Sequence, residues 1–147
     1  MSSLRALQQP PFYADYLCLT YRPEAPRLEA RWLRPVSSAE YRQGYEALLA
    51  KACETDCHFW LVDIRRRNSP TAADGRWLMA EFMPQVAANL SGSVFVGSLF
   101  PPDFVEPPGP VHPTVPNAYQ PAPHLLLRSF SAEQDLTRWL QQCRLTR

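Results

Sequence analysis

The stretch Phe59-Trp60-Leu61-Val62-Asp63-Ile64 is a nearly unbroken run of apolar, strand-forming side chains. It is closed by the polar segment Arg65-Arg66-Arg67-Asn68-Ser69-Pro70. A strand that is apolar at every position has no solvent face, so it must lie inside a sheet covered on both sides. Such coverage in a chain of 147 residues requires helices on either side of the run.

Those helices can be read outward from it. Upstream, Ser37 stands three residues before Glu40, the spacing of a capping box. Tyr41, Tyr45, Leu48, Leu49 and Ala52 then recur at helical intervals, which predicts a helix from about Ser38 to Glu54 that Gly44 weakens slightly. Downstream, Trp77, Leu78, Phe82 and Val86 form a second helical stripe. Pro84 lacks a backbone donor there, so a kink or break is expected after Phe82. Ser131 and Gln134 read as the cap of a last helix carrying Leu136, Trp139, Leu140 and Cys143 on one face.

Four further runs have strand character: Tyr16–Tyr21, Leu28–Leu33, Ser93–Phe100 and His124–Phe130. The first two flank Arg22-Pro23-Glu24-Ala25-Pro26-Arg27 and read as an antiparallel hairpin. The later strands are separated by helical or long segments, which implies crossovers and parallel pairing. The expected fold is therefore α/β, a mixed sheet of about five strands with an N-terminal hairpin, packed by three helices. Residues 101–123 hold nine of the 16 prolines and are expected as a loop, since proline is excluded from helix and from interior strand. Residues 1–11 read as a flexible tail.

Composition narrows the function classes. Apolar residues make up 46% and the formal net charge is +1, so no broad positive field exists to drive nucleic-acid binding. All but one of the 15 basic residues are arginine, the exception being Lys51, but they are scattered along the chain. No run approaches the roughly 20 apolar residues that span a bilayer, and residues 1–11 lack a secretory pattern, so a reducing cytoplasmic setting with free thiols is expected.

The order of a strand pair, a capped helix, a buried strand ending in Asp, a polar loop, and a helix with Trp followed by Phe-x-Pro resembles the SpoIIAA-like, or STAS-like, domain family. The resemblance is carried by LEARWLRPVSSAEYRQGYEALL, FWLVDIRRRNSPTAADGRWLMAEFMP, SVFVGSLF and LLLRSFSAEQDLTRWL, which cover most of Arg27–Leu140. It implies a SpoIIAA-like sheet and a non-enzymatic module that binds protein partners, with homodimers or a small anionic ligand as further options. It also implies a phosphorylatable Ser before the second helix. Here that loop reads RRRNSPTAADG without the family's Ser-Ser-Gly, which leaves Ser69 or Thr71 in the comparable place.

The residues themselves point to the same loop. Ligands of open α/β sheets gather at the carboxyl ends of parallel strands, where Asp63, Arg65, Arg66, Arg67, Asn68, Ser69 and Thr71 fall. Guanidiniums beside a helix start suit a phosphate or carboxylate, for binding or for an enzyme. The competing reading is structural, with Asp63 paired to an arginine and Ser69 or Thr71 capping the helix near Pro70. A Ser69, His112, Asp63 set can be assembled on paper and carries little weight. Cys53, Cys57 and His58 offer too few convergent ligands for zinc, and the glycines form no phosphate loop, so neither metal nor cofactor is expected. The Pro-rich segment reads equally as a partner arm and as a pinned loop.

Overall fold

A computed structural model of the chain describes residues 12–103, 115 and 117–146. The tail 1–11, most of the Pro-rich segment and His112 lie outside these residues. Seven strands form one sheet: β1 (Phe12–Ala14), β2 (Leu17–Arg22), β3 (Arg27–Trp32), β4 (Phe59–Asp63), β5 (Val94–Leu99), β6 (Ala118–Ala122) and β7 (Leu125–Phe130). Their spatial order is β1-β2-β3-β4-β5-β7-β6. β3, β4, β5 and β7 are mutually parallel, while β1, β2 and β6 add antiparallel edges.

The expectation of about five strands is therefore corrected. The three-residue β1 is too short to show a pattern. β6 was hidden by its proline, since Pro121 sits inside a strand read as loop. It is tolerated because β6 is the sheet edge and the pairing with β7 slips between Tyr119 and Ala122, so no interior ladder bond is lost.

Helix α1 (Ser38–Thr55) carries the full capping box: Glu40 N–H donates to Ser37 Oγ, and Ser37 N–H donates to Glu40. It ends at Asp56, whose φ of 52° is left-handed. After β4 come α2 (Ala72–Trp77), a π turn over Leu78–Phe82, and α3 (Met83–Asn89). The interruption expected at Phe82 takes the form of this wide turn, in which Met83 N–H reaches Leu78 O five residues back, just ahead of Pro84. The last helix, α4 (Glu133–Thr146), starts two residues beyond Ser131, so Ser131 is not its capping residue.

β4 is buried at all five positions, and its side chains divide between two cores. Trp60 and Val62 join Leu28, Ala30, Trp32, Val94, Val96 and Leu125 beneath α1 and the α2–α3 rod. Phe59 and Leu61 join Leu99, Leu136, Trp139 and Leu140 beneath α4. Alternation across the strands makes this division, because neighbouring residues point to opposite faces. The α4 face is covered over β4, β5 and β7 but not over β3, which therefore presents Glu29 and Arg31 beside the helix. No helix among the described residues is long and apolar enough to cross a membrane.

Two glycines mark close approaches. A Cβ on Gly44 would lie 2.3 Å from Trp32 Cη2, and one on Gly97 would lie 2.6 Å from Leu136 Cγ. Gly44 thus lets α1 settle on the indole of Trp32, and Gly97 lets α4 settle on β5.

Candidate functional site

The loop after β4 is held at three successive points. At its start, Asp63 accepts two hydrogen bonds from the Arg65 guanidinium (3.0 and 2.8 Å) and one from the Arg65 amide (3.1 Å). Arg31, its cross-strand neighbour, adds a fourth at 3.0 Å. Burial alone would raise the Asp63 pKa, but the bonds from Arg65 and Arg31 outweigh it and hold the carboxyl below its ordinary value.

Further along, Arg67 turns inward. Its guanidinium carbon lies 4.8 Å from the ring centres of both Trp32 and Tyr41 and 5.6 Å from that of Tyr45, and Nη1 donates to Tyr45 Oη at 3.0 Å. The aromatic faces replace a counter-ion: Arg67 makes no ion pair with any described residue. At the third point, Asn68 Oδ1 accepts from the Val36 amide at 2.8 Å, which ties the loop to the entry of α1.

The end of the loop belongs to α2. Thr71 Oγ1 accepts from Asp74 N–H at 3.1 Å, so Thr71 is the cap and Pro70 precedes it rather than opening the helix. Asp74 is buried and receives Ser38 Oγ–H at 2.6 Å and Arg42 Nε–H at 3.3 Å, bonds that join the starts of α1 and α2. The Ser38 bond first, and then Arg42, lower the Asp74 pKa against the effect of burial.

Of the residues expected to form a site, Asp63, Arg65, Arg67 and Thr71 are thus engaged in internal contacts. Arg66, Ser69 and Pro70 remain at the exposed tip, and Asn68, also exposed, is tied back to Val36. The loop is held as a ridge: the guanidiniums of Arg65 and Arg67 are turned to internal partners, although Arg67 Nε–H is buried without an acceptor, while Arg66 is exposed.

The charges around Asp63 extend beyond the loop. Arg31 donates to both oxygens of Glu133 at 2.9 and 3.0 Å and lies 3.3 Å from Glu29. Glu29 also accepts from Arg22 and Arg27, and these bonds depress its pKa although burial opposes them. Glu29, Arg31 and Glu133 escaped the sequence reading because they look like the solvent phase of an alternating strand and the first turn of a surface helix. The signal was their placement beside a helix that covers only part of the sheet.

The thiols and histidine expected not to converge are separately housed. Cys53 is exposed. Cys57 is buried, which pushes its pKa up to about 11. His58 Nε2 lies 2.9 Å from Ser91 O. Among the described residues, no three metal-ligating side chains come together.

No family model, curated protein or solved structure matches the chain.

Proposed function

We propose that this chain is a non-enzymatic, STAS-like binding and regulatory module that acts through protein contacts, with the loop after β4 as its contact ridge. One observation carries the reading. Asp63, Arg67 and Asn68 anchor the loop from inside, and this leaves a short exposed tip of Arg66, Ser69 and Pro70 on a rigid base. A preordered loop loses little conformational entropy on docking, which is what a protein-recognition element requires. The order of hairpin, capped helix, buried strand and second helix supports the STAS-like part of the reading.

Of the two hydroxyls in the loop, Ser69 is the one suited to phosphorylation, because Thr71 Oγ1 is committed to its cap. A phosphate on Ser69 would add negative charge beside Arg66 and alter the ridge without disturbing its anchors.

Affinity capture from the native host, followed by quantitative mass spectrometry, tests the reading. A partner should be retained by the wild-type chain and lost with Arg66→Glu, while circular dichroism stays unchanged. Equal recovery with both chains, or no specific partner together with a strict monomer in light scattering, contradicts it.

A further inference from the structure

A groove lies at the carboxyl end of β7, on the same sheet edge as the loop after β4 and two strands away from it. It is an open, largely polar groove of about 390 Å³ between the start of β6, the end of β7 and α4. Arg128, Phe130 and Trp139 line it, with Asn117, Ser131 and Gln142 as polar neighbours. The Arg128 guanidinium carbon sits 5.0 Å from the Phe130 ring centre and 5.8 Å from that of Trp139.

Among the described residues some arginines have a carboxylate partner and others, Arg128 with Arg66, Arg67, Arg76 and Arg144, have none. Arg22, Arg27, Arg31, Arg34, Arg42 and Arg65 each have a carboxylate within 3.3 Å. Arg128 forms no ion pair with any described residue, and its Nε–H is buried without an acceptor, a state it shares with Arg67 of the ridge. The carboxylate in the lining, Asp135, is 3.5 Å from Arg138, a second and more exposed cation of the same lining. Cys143, the titratable group that Arg128 influences, is kept neutral by burial with its pKa pushed up to about 11. A partly buried cation with no carboxylate partner, in a groove at the carboxyl edge of a parallel strand, suits an anion.

We propose that this groove binds a small molecule carrying a carboxylate or phosphate group, gripped by Arg128, with Phe130 and Trp139 as the wall for its apolar body. The planar guanidinium offers two parallel donors to either acid group, and the rings already stacked on it keep that plane oriented. The assignment is independent of the contact ridge, because none of the ridge residues lines the groove.

The test is calorimetric titration of the full chain, at fixed ionic strength, with phenyl phosphate, benzoate and ring-free inorganic phosphate. One-site binding of an aromatic anion is expected, weakened at least tenfold by Arg128→Met and changed less than twofold by Arg76→Gln, which removes the same charge from an exposed position on α2. Tighter binding of phenyl phosphate assigns the acid as phosphate, and tighter binding of benzoate assigns it as carboxylate. Should Arg128→Met fail to fold, Arg128→Lys replaces it, since it keeps the charge but loses the paired donors and should still weaken binding. In the wild type, the Arg128 Nε–H resonance, identified by its loss in Arg128→Lys, should move on titration. Absence of saturable binding, binding undiminished in the Arg128 variant, or equal loss in Arg76→Gln overturns the proposal.

Discussion

Arg31 on β3 grips Glu133, the first residue of the last helix, through two hydrogen bonds of 2.9 and 3.0 Å. The same guanidinium holds Asp63 and lies beside Glu29, so one side chain joins the sheet, the loop after β4 and α4. Replacing Arg31 with Met removes the cation shared by Glu29, Asp63 and Glu133 and leaves them only Arg22, Arg27 and Arg65 as counter-charges. Since the side chain is 32% exposed, the full penalty of a broken buried pair is screened. A loss of about 1–3 kcal/mol is expected in urea unfolding, against less than about 1 kcal/mol for Glu133→Gln on the outer side. Equal losses for the two variants would contradict the central role of Arg31.

Asp63 and Glu29 both have folded pKa values below their unfolded ones. Their contribution is fully present above the unfolded carboxylate range, near pH 4, and is lost as pH falls through the lower folded values. The urea midpoint should therefore fall steadily below about pH 4, and Asp63→Asn should flatten that fall. A midpoint constant down to pH 2 would argue against the paired state of these acids.

Gly44 sets helix propensity against packing. In an exposed helix, Gly→Ala stabilises by up to about 1 kcal/mol. Here the new methyl would strike Trp32, with its Cβ at 2.3 Å from Cη2. Gly44→Ala should instead destabilise by about 1–3 kcal/mol, measured by chemical denaturation. A gain in stability would mean that Trp32 yields easily.

The hydroxyls of the loop should separate cleanly. Thr71→Ala removes the cap of α2 and should lower stability by about 0.5–2 kcal/mol. Ser69→Ala lies on the exposed tip and should change it by less than about 0.5 kcal/mol. Thermal unfolding of the two variants side by side decides this.

Much of the fold was legible because it rests on local patterns. The run at Phe59–Ile64, the Ser37–Glu40 box and the stripes of α1 and α4 each state their environment within a few residues. The structural reading of the site was legible as well, since Asp63 needs an arginine and Thr71 is a natural cap. What escaped depends on distant partners. Nothing near Arg67 shows that Trp32, Tyr41 and Tyr45 will box it, and nothing near Arg31 announces a residue 102 positions away. Gly44 reads as a weak helix residue until the indole opposite it is placed. Strand β6 stayed hidden because its proline excludes an interior strand but not an edge.

Hydrogen exchange of the free protein, followed by mass spectrometry over residues 64–71, tests most directly whether the ridge is ordered before any partner arrives. The amides of Arg65 and Arg67, bonded to Asp63 Oδ1 and Ile64 O, should exchange slowly, and Asp63→Asn should release the first of them. Exchange across this segment at the rate of an unstructured chain would contradict a preformed contact ridge.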